Sequence, residues 1–131
     1  MKTLTIDTSI ILAVLLGEST RDSIIRLTHD VNLIAPASLD AEIGNALSAQ
    51  MKRGKLSVEQ AKLAIQSYRD IPIRQIPLRL EEALDLSGRF SIYAYDAYVL
   101  DTAMAKSTPL LTLDQRMVDV AKTLNITIID L

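Results

Sequence analysis

The sequence predicts an α/β protein in which helices cover both faces of a parallel sheet of five strands. Short apolar segments recur along the 131 residues, and one or two helical patterns separate each segment from the next. Segments that are apolar throughout, rather than alternating, are typical of strands buried on both faces. Hydrophobic residues make up 49% of the chain and the formal net charge is -2, which favours a folded protein over a disordered one. Because no linker or low-complexity segment interrupts the pattern, residues 1–131 are predicted to form one domain.

The first part of the chain predicts two strands and four helices. Pro36 stops the second strand, and Ser38 is a candidate N-cap for the long helix that follows. Gly54 is a candidate C-cap for that helix, and Ser57 is a candidate N-cap for the next one. The predicted elements are a strand at 3–6, helices at 9–16 and 21–29, a strand at 31–35, and helices at 38–53 and 57–68.

The second part of the chain predicts three strands and three helices. Pro72 and Pro77 bound the third strand, Pro109 opens the fourth, and Asp114 begins the helix after it. The predicted elements are a strand at 73–76, a helix ending at 88, a helix at 94–106, a strand at 110–113, a helix from 114, and a strand at 126–129.

The residue types present restrict the chemistry that the chain can perform. There is no Cys, which excludes disulfides, zinc–thiolate sites, iron–sulfur clusters and cysteine nucleophiles. The single histidine, His29, removes most serine-triad and histidine-rich metal schemes. The balance of 14 Lys and Arg against 16 Asp and Glu gives no overall basic field for nucleic acid. Carboxylates, hydroxyls, amides, Lys or Arg must therefore carry any catalysis.

The apolar run at residues 10–16, preceded by Lys2, invites comparison with a signal peptide. Asp7 lies between the two, and no small-x-small cleavage site follows Gly17. The run is also far too short to span a bilayer. We therefore expect a buried helix in a soluble, cytoplasmic protein with no membrane partner.

Two aspartates are predicted at the carboxyl ends of strands, where open α/β sheets form their binding sites. Asp7 follows the first strand and Asp114 follows the fourth. Each is also a favourable helix N-cap, and the two roles are compatible.

Asp96 and Glu42 lie on predicted helices. Glu42 borders the apolar face of its helix, and its simplest role is a negative charge that stabilises the helix N-terminus. A close approach of this helix to the sheet would explain why a glycine, Gly44, lies within it. The carboxylate of Asp96 points toward the core or its edge, although an Arg or backbone amides could satisfy it structurally. Asp96 shares its helical stripe with Val99, Leu100, Ala103 and Met104.

Four carboxylates on four separate elements can meet at one mouth of the sheet. Two unit charges about 4 Å apart repel by roughly 4 kcal/mol at an effective dielectric constant of about 20. Such a cluster needs protons or a cation, and oxygen-only ligands suit Mg²⁺ or Mn²⁺.

Four sequence blocks around these acids resemble the signature blocks of PIN-domain nucleases, and more narrowly those of VapC-type toxins of toxin–antitoxin pairs. The resemblance covers essentially the whole chain, in the same order. The blocks are Ile6-Asp7-Thr8-Ser9, Glu42 within residues 41–47, Tyr95-Asp96-Ala97-Tyr98 and Leu111-Thr112-Leu113-Asp114.

The resemblance implies a three-layer α/β/α sandwich and a metal-dependent endoribonuclease, the toxin component of a type II toxin–antitoxin system. It further implies a homodimer and a cognate antitoxin whose C-terminal segment occupies the active-site groove. The expected mechanism is attack on an RNA phosphodiester by a metal-activated water that Asp96 or Asp114 orients. The resemblance assigns Mg²⁺ or Mn²⁺ binding and catalysis to Asp7, Glu42, Asp96 and Asp114, with Ser9 and Thr112 supporting them.

Three further acids are predicted to lie outside the site. Asp101 departs from the family pattern, lies off the Asp96 stripe and is expected to be a solvated charge. Asp119 is at most a distant helper, and Asp40 is a charge in the first turn of its helix.

Two surface features have both a functional and an ordinary interpretation. A basic cluster at 52–55 could contact phosphates, although a solvated turn is the simpler explanation. The aromatics between residues 90 and 98 could stack on single-stranded RNA, form a dimer contact or pack in the core. His29 ends a predicted helix, where a charge at the helix C-terminus is the ordinary role.

Other functions for this type of sheet fit the sequence less well. A receiver-like signalling domain has adjacent acids after its first strand, and here Asp7 is the only one. A haloacid-dehalogenase-type phosphatase has Asp-x-Asp there, where this chain has Asp7-Thr8-Ser9. A catalytically silent PIN-like binding module stays an alternative, against which the presence of all four acids argues.

Overall fold

The computed structural model describes residues 2–131, and its helices and strands follow the predicted alternation. In chain order the elements are β1 (Lys2–Ile6), α1 (Thr8–Leu15), α2 (Arg21–Thr28), β2 (Val31–Pro36), α3 (Leu39–Lys52), α4 (Val58–Arg69), β3 (Ile73–Ile76), α5 (Leu80–Phe90), α6 (Ala94–Lys106), β4 (Leu110–Leu111) and α7 (Gln115–Thr123).

The sheet is parallel throughout and has the strand order β3-β2-β1-β4. This confirms the predicted α/β class, but the prediction of five strands was wrong. The segment at 126–129 forms a single bridge, in which the Leu110 amide donates to the Thr127 carbonyl and the Leu110 carbonyl accepts from Ile129. The predicted fourth strand, 110–113, is only two residues long, and the next residue, Thr112, directs its hydroxyl to Asp7. So short a strand cannot template a fifth.

Helices cover both faces of the sheet, as predicted. One apolar cluster joins α1, α2, α3 and α4 to β1 and β2 through buried residues such as Ile10, Ile24 and Ile43. A second cluster joins α5, α6 and α7 to β4, with Leu100 and Met117 at its centre. The chain is therefore a three-layer α/β/α sandwich. Among residues 2–131, no helix combines the length and the apolar character that crossing a membrane requires.

Local capping chemistry sets most of the helix boundaries. The Asp7 side chain caps α1, and Ser57 begins α4 with a full capping box that includes Gln60. Gly54 follows α3 with a φ of +72°, a conformation that glycine adopts without strain. Ser38 is the N-cap residue of α3, as predicted, but its hydroxyl does not cap the backbone and donates to Glu42 instead.

Two further predictions were wrong. Nothing approaches within 4 Å of a Cβ built on Gly44, so a close approach of helix and sheet does not explain this glycine. Asp101 is buried, with a bidentate contact of 2.7 and 3.0 Å from the Arg79 guanidinium, and is not a solvated charge. The reason is that α6 packs against α5 as well as the sheet, so its flank faces the start of α5, where Arg79 lies.

Candidate active site

The four predicted acids lie at the carboxyl edge of the sheet, at the starts of four different helices. Asp7 follows β1 directly and Asp114 follows β4, and each caps the next helix with its side chain. Glu42 lies in the first turn of α3, and Asp96 in the first turn of α6. The fold thus brings together residues that are up to 107 positions apart in the chain, 7 and 114.

Asp7 is the most buried of the four acids, and its carboxylate accepts three hydrogen bonds. Its Oδ1 accepts hydrogen bonds from the Ser9 hydroxyl at 2.5 Å and the Ile10 amide at 3.4 Å, and its Oδ2 accepts from the Thr112 hydroxyl at 2.5 Å. The two hydroxyls in turn accept from the backbone: Ser9 from the Leu113 amide and Thr112 from the Asp114 amide, both at 3.0 Å. Both hydroxyls therefore fix the Asp7 carboxylate and tie it to the turn that carries Asp114.

Two hydroxyls hold Glu42 in the same way. The Thr8 hydroxyl donates to Oε1 at 3.2 Å and the Ser38 hydroxyl donates to Oε2 at 2.7 Å. Sequence reasoning did not assign either residue to the site. A usable signal existed, because Thr8 directly follows Asp7 and Ser38 lies four positions before Glu42, one helical turn away.

Asp96 and Asp114 have different surroundings. The Asp114 Oδ1 accepts from the amides of Arg116 and Met117, at 2.9 and 3.3 Å, as a helix cap does. Burial and the charge of Asp114 raise the pKa of the partly buried Asp96, the charge of Arg116 opposes this, and no hydrogen bond from residues 2–131 contributes. Arg116 also donates to the backbone carbonyls of Phe90 and Ser91. Sequence reasoning missed this arginine, although it lies two residues after a predicted acid.

The pKa is raised for three of the four carboxylates, those of Asp7, Glu42 and Asp96. Burial raises the pKa of Asp7, the hydrogen bonds from Ser9, Thr112 and Ile10 oppose this, and the charge of Asp114 adds to it. Burial also raises the pKa of Glu42 and of Asp96, with neighbouring carboxylates contributing in both cases. Each of the four carboxylates is thus close enough to another member of the cluster for their charges to interact.

These residues fit a hard divalent cation. The donors are all oxygens, and burial, together with repulsion between neighbouring carboxylates, raises the pKa of Asp7, Glu42 and Asp96. Within residues 2–131, no three acidic or histidine side chains are already arranged to enclose an ion.

The remaining polar residues considered from the sequence lie elsewhere. Asp119 is exposed and accepts from Gln115 on its own helix. Asp40, in the first turn of α3, accepts from the Tyr68 hydroxyl and from Gln75. His29 ends α2 on the surface, and the basic residues of the α3–α4 turn, Lys52, Arg53 and Lys55, are all exposed.

A large cavity lies away from the four acids. The cavity, of about 830 Å³, lies beside the first residues of β1, β2 and β3, and its lining includes Thr3, Val31 and Ile73 but none of the four acids. Cavity size is a common guide to binding sites, but displaced pKa values around a chemically coherent set of groups are the more specific signal. We therefore place the candidate active site at the carboxylates.

Comparisons with known proteins agree with this fold. A family model described as PIN domain matches residues 4–123. Ribonuclease VapC3 of Mycobacterium tuberculosis is 31% identical over 83 residues, which are 63% of this chain and 61% of that protein. The chain thus spans about three fifths of the length of the curated relatives that it matches.

Two solved structures share the fold at low sequence identity. VapBC2 from Rickettsia felis, bound to a DNA fragment from their promoter, has a TM-score of 0.67 at 14% identity, with 97% of each chain covered. A toxin–antitoxin complex from Klebsiella pneumoniae has a TM-score of 0.55 at 14% identity, covering 86% of this chain and 87% of the other. Since the family model covers nearly the whole sandwich and all four acids, the chain belongs to the PIN-domain family.

Proposed function

We propose that this chain is a metal-dependent endoribonuclease that uses Mg²⁺ or Mn²⁺ and acts as the toxin of a toxin–antitoxin pair. The observation that carries the proposal is the cluster of four acids, Asp7, Glu42, Asp96 and Asp114, at the carboxyl edge of a PIN-type sheet. The name of the relative VapC3, a ribonuclease, supports RNA as the substrate.

The hydrogen bonds divide the four acids into fixed and free carboxylates. Asp7 and Glu42 are each held at both oxygens, so they suit the role of rigid metal-binding groups. Asp114 uses one oxygen as a helix cap, which leaves its other oxygen for the mouth. Asp96 is the freest of the four and has a raised pKa, which suits a group that takes up a proton.

The proposed reaction is hydrolysis of an RNA phosphodiester. A divalent cation at these carboxylates supplies positive charge that stabilises the phosphoryl oxygens and makes a water molecule more acidic. Asp96 orients the attacking water and accepts its proton as the water oxygen bonds to phosphorus and the bond from phosphorus to the ribose oxygen breaks. The departing ribose oxygen takes a proton from solvent water. The hydroxyls of Ser9 and Thr112 keep Asp7 in place. Those of Thr8 and Ser38 do the same for Glu42.

The activity is tested with purified protein and labelled cellular RNA. We expect cleavage with Mg²⁺ or Mn²⁺, loss of cleavage with EDTA, and recovery when the metal is restored. Expression of the chain should arrest growth, and Asp7→Asn should abolish the arrest while the protein stays folded by circular dichroism. Cleavage of no RNA by correctly folded, metal-loaded protein would instead favour a catalytically silent PIN-like binding module.

We also propose a cognate antitoxin and a homodimer as the natural assembly. One of the structures with this fold is a toxin–antitoxin complex. The antitoxin would be a small protein encoded next to this chain, and its co-expression should reverse the growth arrest. Size-exclusion chromatography with light scattering should give twice the 14.4 kDa chain mass for the protein alone. A monomer at micromolar concentration would contradict the homodimer.

A further inference from the structure

Two tyrosines at the start of α6 lie on the surface beside a site acid. The side chains of Tyr93 and Tyr95 are 85% and 52% exposed. Tyr93 is the N-cap residue of α6 and lies three positions before Asp96, so both occupy the same side of the helix, one turn apart. Core packing does not account for aromatic rings with this exposure.

Contacts within the segment fix the Tyr95 ring and the loop that precedes Tyr93. Tyr95 meets Tyr98 edge to face, with ring centroids 6.1 Å apart and an angle of 75° between the planes. This contact uses an edge and leaves ring surface free. The loop before Tyr93 is held by Arg116, whose Nη2 donates to the carbonyls of Phe90 at 3.2 Å and Ser91 at 2.9 Å.

The charges around the tyrosines indicate what kind of partner they meet. Arg116 links the loop to the acid cluster, since its Nη2 donates to the Ser91 carbonyl and its amide donates to the Asp114 Oδ1, both at 2.9 Å. Arg89 precedes the loop, with its guanidinium 4.7 Å from the centroid of the Phe90 ring. Aromatic faces combined with nearby cations suit nucleobases attached to phosphates, whereas a hydrophobic protein partner would favour aliphatic neighbours.

We propose that Tyr93 and Tyr95 form a stacking platform for unpaired bases of the RNA, adjacent to the phosphodiester that the carboxylates cleave, with each ring taking its own base because residues two apart on a helix do not face each other. Arg116 is a positioning residue that holds the loop carrying Tyr93. The tyrosine platform (Tyr93 and Tyr95) selects strands whose bases can leave a duplex, because a paired base has no free face to offer. This inference rests on the proposed ribonuclease function, and its test is chosen to separate the two.

Binding is measured apart from cleavage. The full chain carrying Asp7→Asn is titrated with Mg²⁺ present into a 12-nucleotide RNA that contains 2-aminopurine, single-stranded or annealed to its complement. We expect the protein to quench the fluorescence of 2-aminopurine in the single-stranded RNA and not in the duplex. Tyr93→Ala and Tyr95→Ala should each weaken binding roughly 5- to 100-fold, whereas Tyr93→Phe and Tyr95→Phe should stay within about twofold because they keep the ring.

A matched control and a double-mutant cycle complete the design. Leu63→Ala removes a comparably exposed apolar side chain, 60% exposed, from α4, and should leave RNA binding unchanged. Arg116→Ala should weaken binding in the parent protein but add little in the Tyr93→Ala background, because the arginine acts through the tyrosine. Full additivity of the two changes would remove the positioning role from Arg116.

The possible outcomes distinguish the platform from the proposed function. Unchanged binding in both alanine variants, or equal losses in the alanine and phenylalanine variants, would overturn the platform even if wild-type protein cleaves RNA. Alanine variants that keep RNA binding but change the oligomeric state would make these rings a protein contact and overturn it too. Tyrosine-dependent binding by a chain that cleaves no RNA would support the platform and refute the ribonuclease.

Discussion

Asp96 differs from the other three acids in that no hydrogen bond from residues 2–131 contributes to its pKa, although its side chain is partly buried. Its apolar helical stripe predicted this position from the sequence, because a carboxylate among Val99, Leu100 and Ala103 must face inward. The same reasoning failed for Asp101, which Arg79 holds. A helical stripe tells which residues face the sheet, but not what a neighbouring helix presents to the flank.

Replacing the proposed proton acceptor should remove activity without unfolding the protein. We expect Asp96→Asn to lower the rate of RNA cleavage roughly 10²- to 10⁴-fold, because an amide cannot take up the proton from the attacking water. The measurement is cleavage of a labelled RNA under single-turnover conditions. Asp85→Asn, which removes an exposed acid from α5, serves as the control and should cleave at the wild-type rate. Equal activity of the two variants would remove Asp96 from the mechanism.

The same substitution should stabilise the metal-free protein at neutral pH. Burial raises the pKa of Asp96, so the folded state binds this proton more tightly than the unfolded state. The stability from this group is therefore complete below the unfolded pKa and is lost as the pH rises through the folded pKa. With EDTA at pH 7.5, Asp96→Asn should raise the melting temperature by roughly 2–6 °C.

Measurement at low pH provides the internal control for this effect. At about pH 3.5 the carboxyl is mostly protonated in both states, so the difference between the wild type and Asp96→Asn should nearly vanish. A difference that does not depend on pH would mean that the amide stabilises by another route and that Asp96 is not electrostatically strained.

At the scale of elements, local chemistry decided what the sequence could predict. The bounds of α4 and α6 were predicted to within one residue or so, because the signals that set helix ends lie within a few positions of each end. The last strand failed, because a strand exists only if its neighbour offers a long enough edge, and β4 offers two residues. Pairing depends on residues far along the chain, where pattern reasoning is weakest.

The capping box of α4 is a local device with a measurable contribution. Ser57 accepts from the Gln60 amide at 3.1 Å, and its own amide donates to the Gln60 side chain at 2.8 Å. We expect Ser57→Ala to lower the free energy of unfolding by about 1 kcal/mol in urea titrations. The control is Ser67→Ala, at an exposed residue near the other end of the same helix. It should not lower the free energy of unfolding, since alanine favours helix interiors. A loss in both variants would mean that the cap contributes nothing special.

At the scale of the whole molecule, the candidate site depends on the entire sandwich. Its acids lie on α3 and α6 and at the N-caps of α1 and α7, and these helices belong to the two helical layers on opposite faces of the sheet. The sequence predicted this convergence from strand ends and from the family blocks. It did not predict the supporting hydroxyls of Thr8, which reaches Glu42 from α1, and of Ser38, which lies one turn before Glu42 at the start of α3.

Metal binding should therefore stabilise the fold as a whole. At a Mg²⁺ concentration about 100 times its dissociation constant, ligand linkage raises the free energy of unfolding by about 2.7 kcal/mol. We expect the melting temperature of the wild type to rise with Mg²⁺ at constant ionic strength, and that of Asp7→Asn to stay constant. Asp85→Asn should respond like the wild type. A wild-type protein that gains no stability at millimolar Mg²⁺ or Mn²⁺ would argue against the metal site.

The hydrogen bond from Thr112 to Asp7 joins residues 105 positions apart, and this separation has a consequence for protein synthesis. A growing chain that has just passed residue 100 already carries Asp7, Glu42 and Asp96, but it has neither β4 to pair with β1 nor the Thr112 hydroxyl. The mouth can be completed only after residues 110–114 have left the ribosome. The nascent chain therefore cannot form its full set of carboxylates before that point, and contacts of such long range are among the slowest to form in folding.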